Sequence, residues 1–494
     1  MASTAPPTPP PKLSLLAMQG TFWSYLSFIS GKLLVFFTTV ILARLLTPTE
    51  FGVMGYCLIV LQYLDLVSDI SMDVALISRR EKLEEAANAA FGVSLVTSLL
   101  IYAAAWVVAP AVASFFKEPE VAELLRTVII VLPLAALANV PGALLQRELR
   151  FKAKLLPDIT RSVVKGGLSI GLALQGFGVW SLVWGQIGGE LATTGMVWLL
   201  ARWRPTLRFE AAVTRDLIRI GLHIMTVSVA GTVLANVDYV LVGGNLGPAA
   251  LGLYTLAYRI PELVINNSMS VIGRVAYPIL ARIQTDRQRL HMAYFTYLRY
   301  ITLFTFPAGA GLALLATPFI HVAYTVKWAP AIPVMQAIAV AIALGSLGYL
   351  PGVILKATNR PEILNAFTLV KLPLTIGLLW YATRWGITGV ALAQVGVALV
   401  NLAITTVLTR WALGIPVAGM LTAIRPAFLA TLVMTGGVAA VAAVWPGDSL
   451  GTLLAWAGLG VLLYGAALAV FSRETVERAG QIVLAVLPRR SPAP

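Results

Sequence analysis

Charged residues and cysteine are scarce in this chain of 494 residues. Charged side chains make up only 12% of the sequence, whereas hydrophobic residues make up 58%. A soluble domain of this length does not need so much apolar surface, but a protein embedded in a bilayer does. The single cysteine, Cys57, excludes an intramolecular disulfide and any cysteine-rich metal site.

Motifs for catalysis and nucleotide binding are also missing. The three histidines, His223, His291 and His321, are scattered and lack the spacing of metal ligands. No GxxxxGK[ST] loop is present to hold nucleotide phosphates. Residues 167–171 match the GxSxG nucleophile pattern, but they lie inside an apolar run rather than between a strand and a helix. We therefore predict that the protein is not an enzyme and uses neither a metal nor another cofactor.

Apolar runs long enough to cross a hydrocarbon core recur along the whole chain. They predict an all-α, polytopic membrane protein of about 14 transmembrane helices. The runs lie near residues 16–43, 50–74, 86–112, 121–145, 155–175, 179–201, 216–243, 249–273, 294–316, 330–355, 362–383, 387–409, 424–445 and 450–471.

Basic side chains cluster in alternate connections between these runs, beginning with Arg79, Arg80 and Lys82. The opposite connections contain few basic residues: Arg44, Lys117, Lys327 and Arg384. The positive-inside rule therefore places the basic connections and both termini in the cytoplasm. The net charge of +14 is explained by this topology, so we expect no nucleic-acid partner.

Three sequence markers recur in the same order about two hundred residues apart. The stretch LTPTEFG at 46–52 returns as LGPAALG at 246–252, and VPGALL at 140–145 returns as LPGVIL at 350–355. The stretch that begins at Gly178 and ends at Gln186 returns between Gly386 and Gln394. Proline and glycine also recur at helix ends by chance, but here the residue, the order and the spacing all agree. A repeat of this size inside a membrane protein is typical of transporters built from two related halves.

The repeat predicts two pseudo-symmetric six-helix lobes followed by a C-terminal helix pair. The predicted boundaries are a disordered, Pro-rich cytoplasmic tail at 1–14, an N-terminal lobe at 15–210, a C-terminal lobe at 211–412, the helix pair at 413–472 and a cytoplasmic tail at 473–494.

Five cations lie well inside predicted membrane spans: Lys32, Arg161, Lys165, Arg259 and Lys371. Each would cost about 2.5–3.5 kcal/mol at a helix centre, so we expect them to face a partner or a water-filled cavity. A cavity lined by cations from both halves would bind an anion such as phosphate.

Structural roles for these cations remain open alternatives. Lys32 could extend its ammonium to the interface, while Arg161 and Lys165 could pair with Asp158 on their own helix. Arg259 and Glu262 are three residues apart and could neutralise each other.

Carboxylates inside the predicted spans are candidates for coupling to an ion. Asp65 and Asp69 are four residues apart and share a helix face, so together they could hold a proton or a sodium ion. Glu190 and Glu262 complete the set of candidate coupling residues.

The stretch DYVLVGGNLGPAALGLYTLAYR at 238–259 and the stretch ARLLTPTEFG at 43–52 resemble bacterial polysaccharide-repeat-unit flippases. These belong to the superfamily of multidrug, oligosaccharidyl-lipid and polysaccharide exporters. The resemblance implies a V-shaped pair of six-helix lobes plus a helix pair. It also implies a cationic central cavity, which Arg259 would face from the second lobe.

The substrate that this resemblance implies is an oligosaccharide linked to undecaprenyl pyrophosphate in the bacterial inner membrane. The bilayer and the machinery for polymerisation and export are the implied partners. Lipid II flippases carry a basic–acidic pair early in the first helix, but residues 20–25 read GTFWSY. We therefore expect units of exopolysaccharide, capsule or O-antigen rather than the peptidoglycan precursor.

Two other functions are weighed against the flippase. A multidrug or metabolite antiporter of the same superfamily moves organic cations and needs an acidic or apolar cavity, which five cations disfavour. A membrane-bound polymerase or acyltransferase needs a large outward loop or a histidine–carboxylate pair, and the sequence predicts neither.

Overall fold

A computed structural model of the chain describes residues 31–69, 76, 83–147, 151–201, 203–206, 211–358 and 361–473. Within those ranges every regular element is a helix and no strand occurs, so the predicted all-α class is confirmed. The predicted tail at 1–14, most of that at 473–494 and the GTFWSY stretch lie outside the described residues.

The chain divides into two compact units, and the first ends at Gly252. Its helices are α1 (31–45), α2 (Pro48–Asp69), α3 (Leu83–Phe116), α4 (Glu120–Val128), α5 (Val131–Arg147), α6 (Phe151–Leu174), α7 (Val179–Leu200), α8 (Ala211–Leu246) and the start of α9 (Pro248–Pro261). Helix α8 packs against α2 and α3 in this unit, although the predicted lobe boundary places it in the second half.

The second unit begins at Leu253 and holds the rest of α9. A π-helical turn (Glu262–Asn266) leads into the following helices. These are α10 (Asn267–Arg282), α11 (Arg287–Ala323), α12 (Ile332–Gly345), α13 (Tyr349–Ala357), α14 (Pro361–Ala382), α15 (Gly386–Leu413), α16 (Val417–Val444) and α17 (Leu450–Phe471), with 3₁₀ turns at Val326–Ala331, Ser346–Gly348 and Thr383–Trp385. Helix α12 packs on α15, while α11 contacts α12, α16 and α17.

Eight helical segments among the described residues are long and apolar enough to cross a membrane. They are Pro48–Ser68, Leu83–Phe116, Glu120–Arg147, Arg287–Ala323, Val326–Ala357, Ala366–Leu413, Val417–Val444 and Leu450–Phe471. Many large apolar side chains on them are exposed, as a lipid-facing surface requires. The protein is therefore a multi-pass membrane protein, while the count of about 14 spans and the lobe boundaries remain predictions.

The LTPTEFG stretch begins α2 for identifiable physical reasons. Pro48 occupies the first turn, where its missing N–H would lack a partner anyway. The Thr47 hydroxyl accepts a hydrogen bond from the Glu50 N–H at 3.3 Å, and the Glu50 carboxylate accepts one from the Thr47 N–H at 2.6 Å. This reciprocal pair is a capping box.

The first pair of repeated stretches packs one copy against the other. A Cβ added at Gly52 would overlap the Pro248 carbonyl, and one added at Gly252 would overlap the Pro48 carbonyl. The two helix starts therefore touch backbone to backbone, which requires glycine on both sides. Elsewhere in the repeat, Gly178 and Gly386 both adopt positive φ, 53° and 69°, immediately before or at the start of a helix.

We expect Gly52→Ala to lower the free energy of unfolding by about 1–3 kcal/mol, because the methyl group must displace backbone rather than a flexible side chain. Gly195→Ala in α7 is the matched control, since a Cβ there meets nothing within 4 Å. It should be neutral or raise stability by up to about 1 kcal/mol. The apparent unfolding temperatures of the purified proteins in detergent would show the difference, and equal values would contradict the close contact.

Candidate substrate-binding sites

Helices α6 and α7 of the first unit approach each other unusually closely. A Cβ at Gly185 would overlap the Ser169 side chain, and one at Gly188 would overlap Leu168. A Cβ at Gly189 would lie 2.9 Å from the Cβ of Lys165. Glycines on α7 thus bring the polar side chains of the two helices within direct bonding distance.

Two polar contacts connect α6 to α7. Lys165 Nζ donates a hydrogen bond to Gln186 Oε1. One turn away, Arg161 Nη2 lies 2.7 Å from Glu190 Oε2. The Glu190 side chain is only 4% exposed and that of Arg161 is 44% exposed. Asp65 on α2 is close enough to act electrostatically on Arg161 and Glu190.

This four-charge cluster, made of Asp65, Arg161, Lys165 and Glu190, is formally neutral. A carboxylate buried as deeply as Glu190 is stable only beside a cation, which Arg161 supplies. The structure therefore joins two predicted substrate-binding cations to two predicted coupling carboxylates. Glu190, on the neighbouring helix, is the ion-pair partner of Arg161, where the sequence suggested Asp158.

The second unit contains a polar cavity of about 340 Å³ between α12, α14, α15 and the end of α9. Lys371 is the one charged side chain among its described lining residues. The polar side chains around it are Tyr258, Asn266, Ser346, Tyr349, Gln394 and Asn401. Ser346 is held by Thr305 of α11, with 2.9 Å between the two hydroxyl oxygens. The cavity thus presents one cation together with several groups that can both donate and accept hydrogen bonds.

The remaining predicted site residues are dispersed. Arg259 and Glu262 lie 3.9 Å apart in a half-exposed pair, as one alternative anticipated. Such an exposed ion pair contributes little to the free energy of folding in water. Lys32 lies half-buried on α1, and the side chain of Asp69, at the end of α2, lies outside the described residues.

Sequence reasoning missed the neutral side chains of the polar cavity. Gln394 was identified in the sequence only as a marker of the repeat. No binding role was predicted for Asn266, Asn401, Tyr258 or Tyr349. An amide within an apolar span was the available signal, because an amide inside a bilayer also needs hydrogen-bond partners.

A second, apolar cavity of about 520 Å³ lies between α11, α16 and α17. Leu303, Leu312, Met434 and Val461 are among its lining residues. The Tyr464 hydroxyl donates a hydrogen bond to the Leu303 carbonyl at 2.9 Å and so connects α17 to α11 at one side of this cavity. No group of three metal-ligating side chains occurs among the residues that the structure describes.

A family model described as "Polysaccharide biosynthesis protein" matches residues 41–333, which is more than half of the chain. The chain belongs to this family, and the predicted resemblance to polysaccharide flippases of the multidrug/oligosaccharidyl-lipid/polysaccharide exporter superfamily is confirmed. Its function thus lies in polysaccharide biosynthesis, as a membrane transporter or flippase.

Curated relatives match over most of their length. The succinoglycan biosynthesis transport protein ExoT of Rhizobium meliloti is 26% identical over 95% of this chain and 96% of the relative. The lipopolysaccharide biosynthesis protein WzxC of Escherichia coli is also 26% identical, over 81% of this chain and 82% of the relative. The teichuronic acid biosynthesis protein TuaB of Bacillus subtilis is 24% identical over 72% and 74%.

Solved structures show the same fold. The lipid II flippase MurJ in its inward closed conformation matches with a TM-score of 0.76 at 15% identity, covering 93% of this chain and all of that one. An inward-facing multidrug resistance transporter of the MATE family matches with a TM-score of 0.62 at 18% identity, covering 78% and 94%.

We expect Arg161→Met to lower the free energy of unfolding by about 1–3 kcal/mol, because it leaves the buried Glu190 carboxylate without its nearest cation. Adding Glu190→Gln should recover most of that loss, since the amide carries no charge. Unfolding midpoints of the single and double variants would measure the coupling. Arg282→Met, at an exposed helix end, is the control. A double variant no more stable than Arg161→Met would contradict the pairing.

Proposed function

We propose that the protein translocates undecaprenyl-pyrophosphate-linked oligosaccharide repeat units across the bacterial inner membrane. The units would serve exopolysaccharide, capsule or O-antigen synthesis, and both termini would be cytoplasmic. Support comes from the family match, from relatives named for succinoglycan transport and lipopolysaccharide biosynthesis, and from a fold shared with a lipid II flippase.

The polar cavity of the second unit is the observation that carries the proposal. It places Lys371 among amides and tyrosine hydroxyls inside the span Ala366–Leu413. Amides and hydroxyls hydrogen-bond sugar hydroxyls, and an ammonium attracts an anion. An organic cation would meet like charge there, which disfavours the multidrug antiporter.

A lipid-linked substrate also needs an apolar path. The apolar cavity between α11, α16 and α17 offers one, since its described lining is almost wholly hydrocarbon. The polyprenyl chain would remain in contact with lipid or with this surface while the headgroup crosses.

The proposed mechanism is alternating access through a cationic cavity. Lys32, Arg161, Lys165, Arg259 and Lys371 are the proposed substrate-binding cations. Asp65, Asp69, Glu190 and Glu262 are the proposed coupling residues; Glu190 is suited to this role because it already shares Arg161 with Asp65. Polymerisation and export machinery are the proposed downstream partners.

Deleting the gene in its native host tests the function. We expect loss of one surface polymer and accumulation of undecaprenyl-linked repeat units, because synthesis on the inner leaflet would continue without translocation. Extraction and mass analysis of lipid-linked intermediates, beside measurement of the surface polymer, gives the result. Normal polymer together with new sensitivity to cationic dyes would assign the protein to drug export instead.

Complementation of that deletion tests the cations. We expect Lys371→Met and the double variant Lys165→Ala/Arg259→Ala to leave the polymer absent at normal protein levels, because the anionic headgroup loses its counter-charges. Lys356→Met, at the exposed end of α13, should restore the polymer fully. A normal amount of surface polymer with Lys371→Met would contradict a role of the cationic cavity in translocation.

A further inference from the structure

The repeat extends to a motif that contains two of the intramembrane lysines. Lys165 begins the stretch KGGLSIGL on α6, and Lys371 begins KLPLTIGL on α14. The next helix of each unit then carries the repeated glutamine, Gln186 or Gln394. Each unit thus holds a lysine and a glutamine at equivalent positions of adjacent helices.

The two units differ one helical turn away from this lysine–glutamine pair. In the first unit, Arg161 and Glu190 occupy those positions and form the 2.7 Å ion pair. In the second unit, the equivalent positions hold Phe367 and Ala398. Ala398 lines the polar cavity together with Lys371 and Gln394.

An acidic group is therefore present in one unit and absent from the equivalent place in the other. The Glu190 carboxylate lies within electrostatic range of Lys165 and offsets its charge. In the second unit the corresponding volume belongs to the cavity, and no carboxylate occurs among its described lining residues. A half-buried lysine of this kind favours an anionic ligand.

We infer that this cavity binds a sugar residue of the substrate that bears a single carboxylate. Lys371 would be the counter-charge of that carboxylate, because the second unit has no acidic residue at the position equivalent to Glu190. The inference rests on the proposed function and names the chemistry of its headgroup. The ligand would supply the acid that the protein supplies in the first unit.

The neutral lining residues fit a saccharide. Asn266, Gln394 and Asn401 carry amides that donate and accept, and Tyr258 and Tyr349 add hydroxyls and ring faces. A volume of about 340 Å³ lies within the range of roughly 300–1,000 Å³ typical of small-ligand pockets.

The charge of the cavity distinguishes a carboxylate from pyrophosphate. One lysine balances one negative charge, whereas pyrophosphate carries more and is matched best by bidentate arginine. No arginine occurs among the described lining residues.

Titration of the purified full-length protein in detergent tests the inference. The probes are glucuronate, its uncharged methyl ester and inorganic pyrophosphate, and the readout is the ligand-induced rise in unfolding temperature. We expect glucuronate to bind roughly 10- to 100-fold more tightly than the ester. Equal binding of acid and ester, no binding of either, or a response to pyrophosphate alone would each overturn the carboxylate assignment.

Variants locate the binding. Lys371→Met should lower the affinity for glucuronate to that for the ester. Lys371→Arg should keep the preference for the acid, and so should Lys356→Met, whose exposed side chain is not among the cavity's described lining residues. Ala398→Glu should abolish glucuronate binding by supplying the carboxylate internally, whereas Ala398→Gln, of the same size, should keep that preference. Equal glucuronate affinity in Ala398→Glu and Ala398→Gln would overturn the inference. Lipid-linked intermediates in the deletion strain report on the flippase function separately.

Discussion

A charged side chain inside a bilayer is stable only beside a partner or a polar cavity, and both units are organised by this constraint. Glu190 is almost fully buried, and the Arg161 guanidinium lies against it. Lys371 instead lines a cavity furnished with amides and hydroxyls. Arg161 and Glu190 thus pair within the protein, whereas Lys371 lines a cavity.

Close helix packing makes the internal pairing feasible. Helix α7 approaches α6 closely because Gly185, Gly188 and Gly189 face it, and the Arg161–Glu190 pair lies across this contact. The same device recurs where Gly52 and Gly252 face the opposite prolines. At these positions the absence of a Cβ allows the close approach of neighbouring helices.

Composition and spacing predicted the helical membrane class, the repeat and the intramembrane charges, because hydropathy and helix-end residues are local properties. The partner of Arg161 was not predictable in the same way. Asp158 lies one turn away on the same helix, whereas Glu190 lies on another helix whose rotation and register no periodicity specifies. The grouping of Asn266 and Asn401 in one cavity was not predictable for the same reason, since they come together only in the folded unit.

The difference between the two units has a physical rationale. The four-charge cluster of the first unit is formally neutral, because its two acids offset its two bases, and its Arg161–Glu190 pair joins α6 to α7. If the second unit had an arginine and a glutamate at the equivalent positions, the lysine there would also belong to a formally neutral cluster. Replacing the acid by Ala398 and the arginine position by Phe367 leaves one cation with room beside it. The two halves of the repeat thus differ in charge at equivalent positions: a formally neutral cluster lies in the first unit, and a single lysine lies among the described lining residues of the cavity in the second.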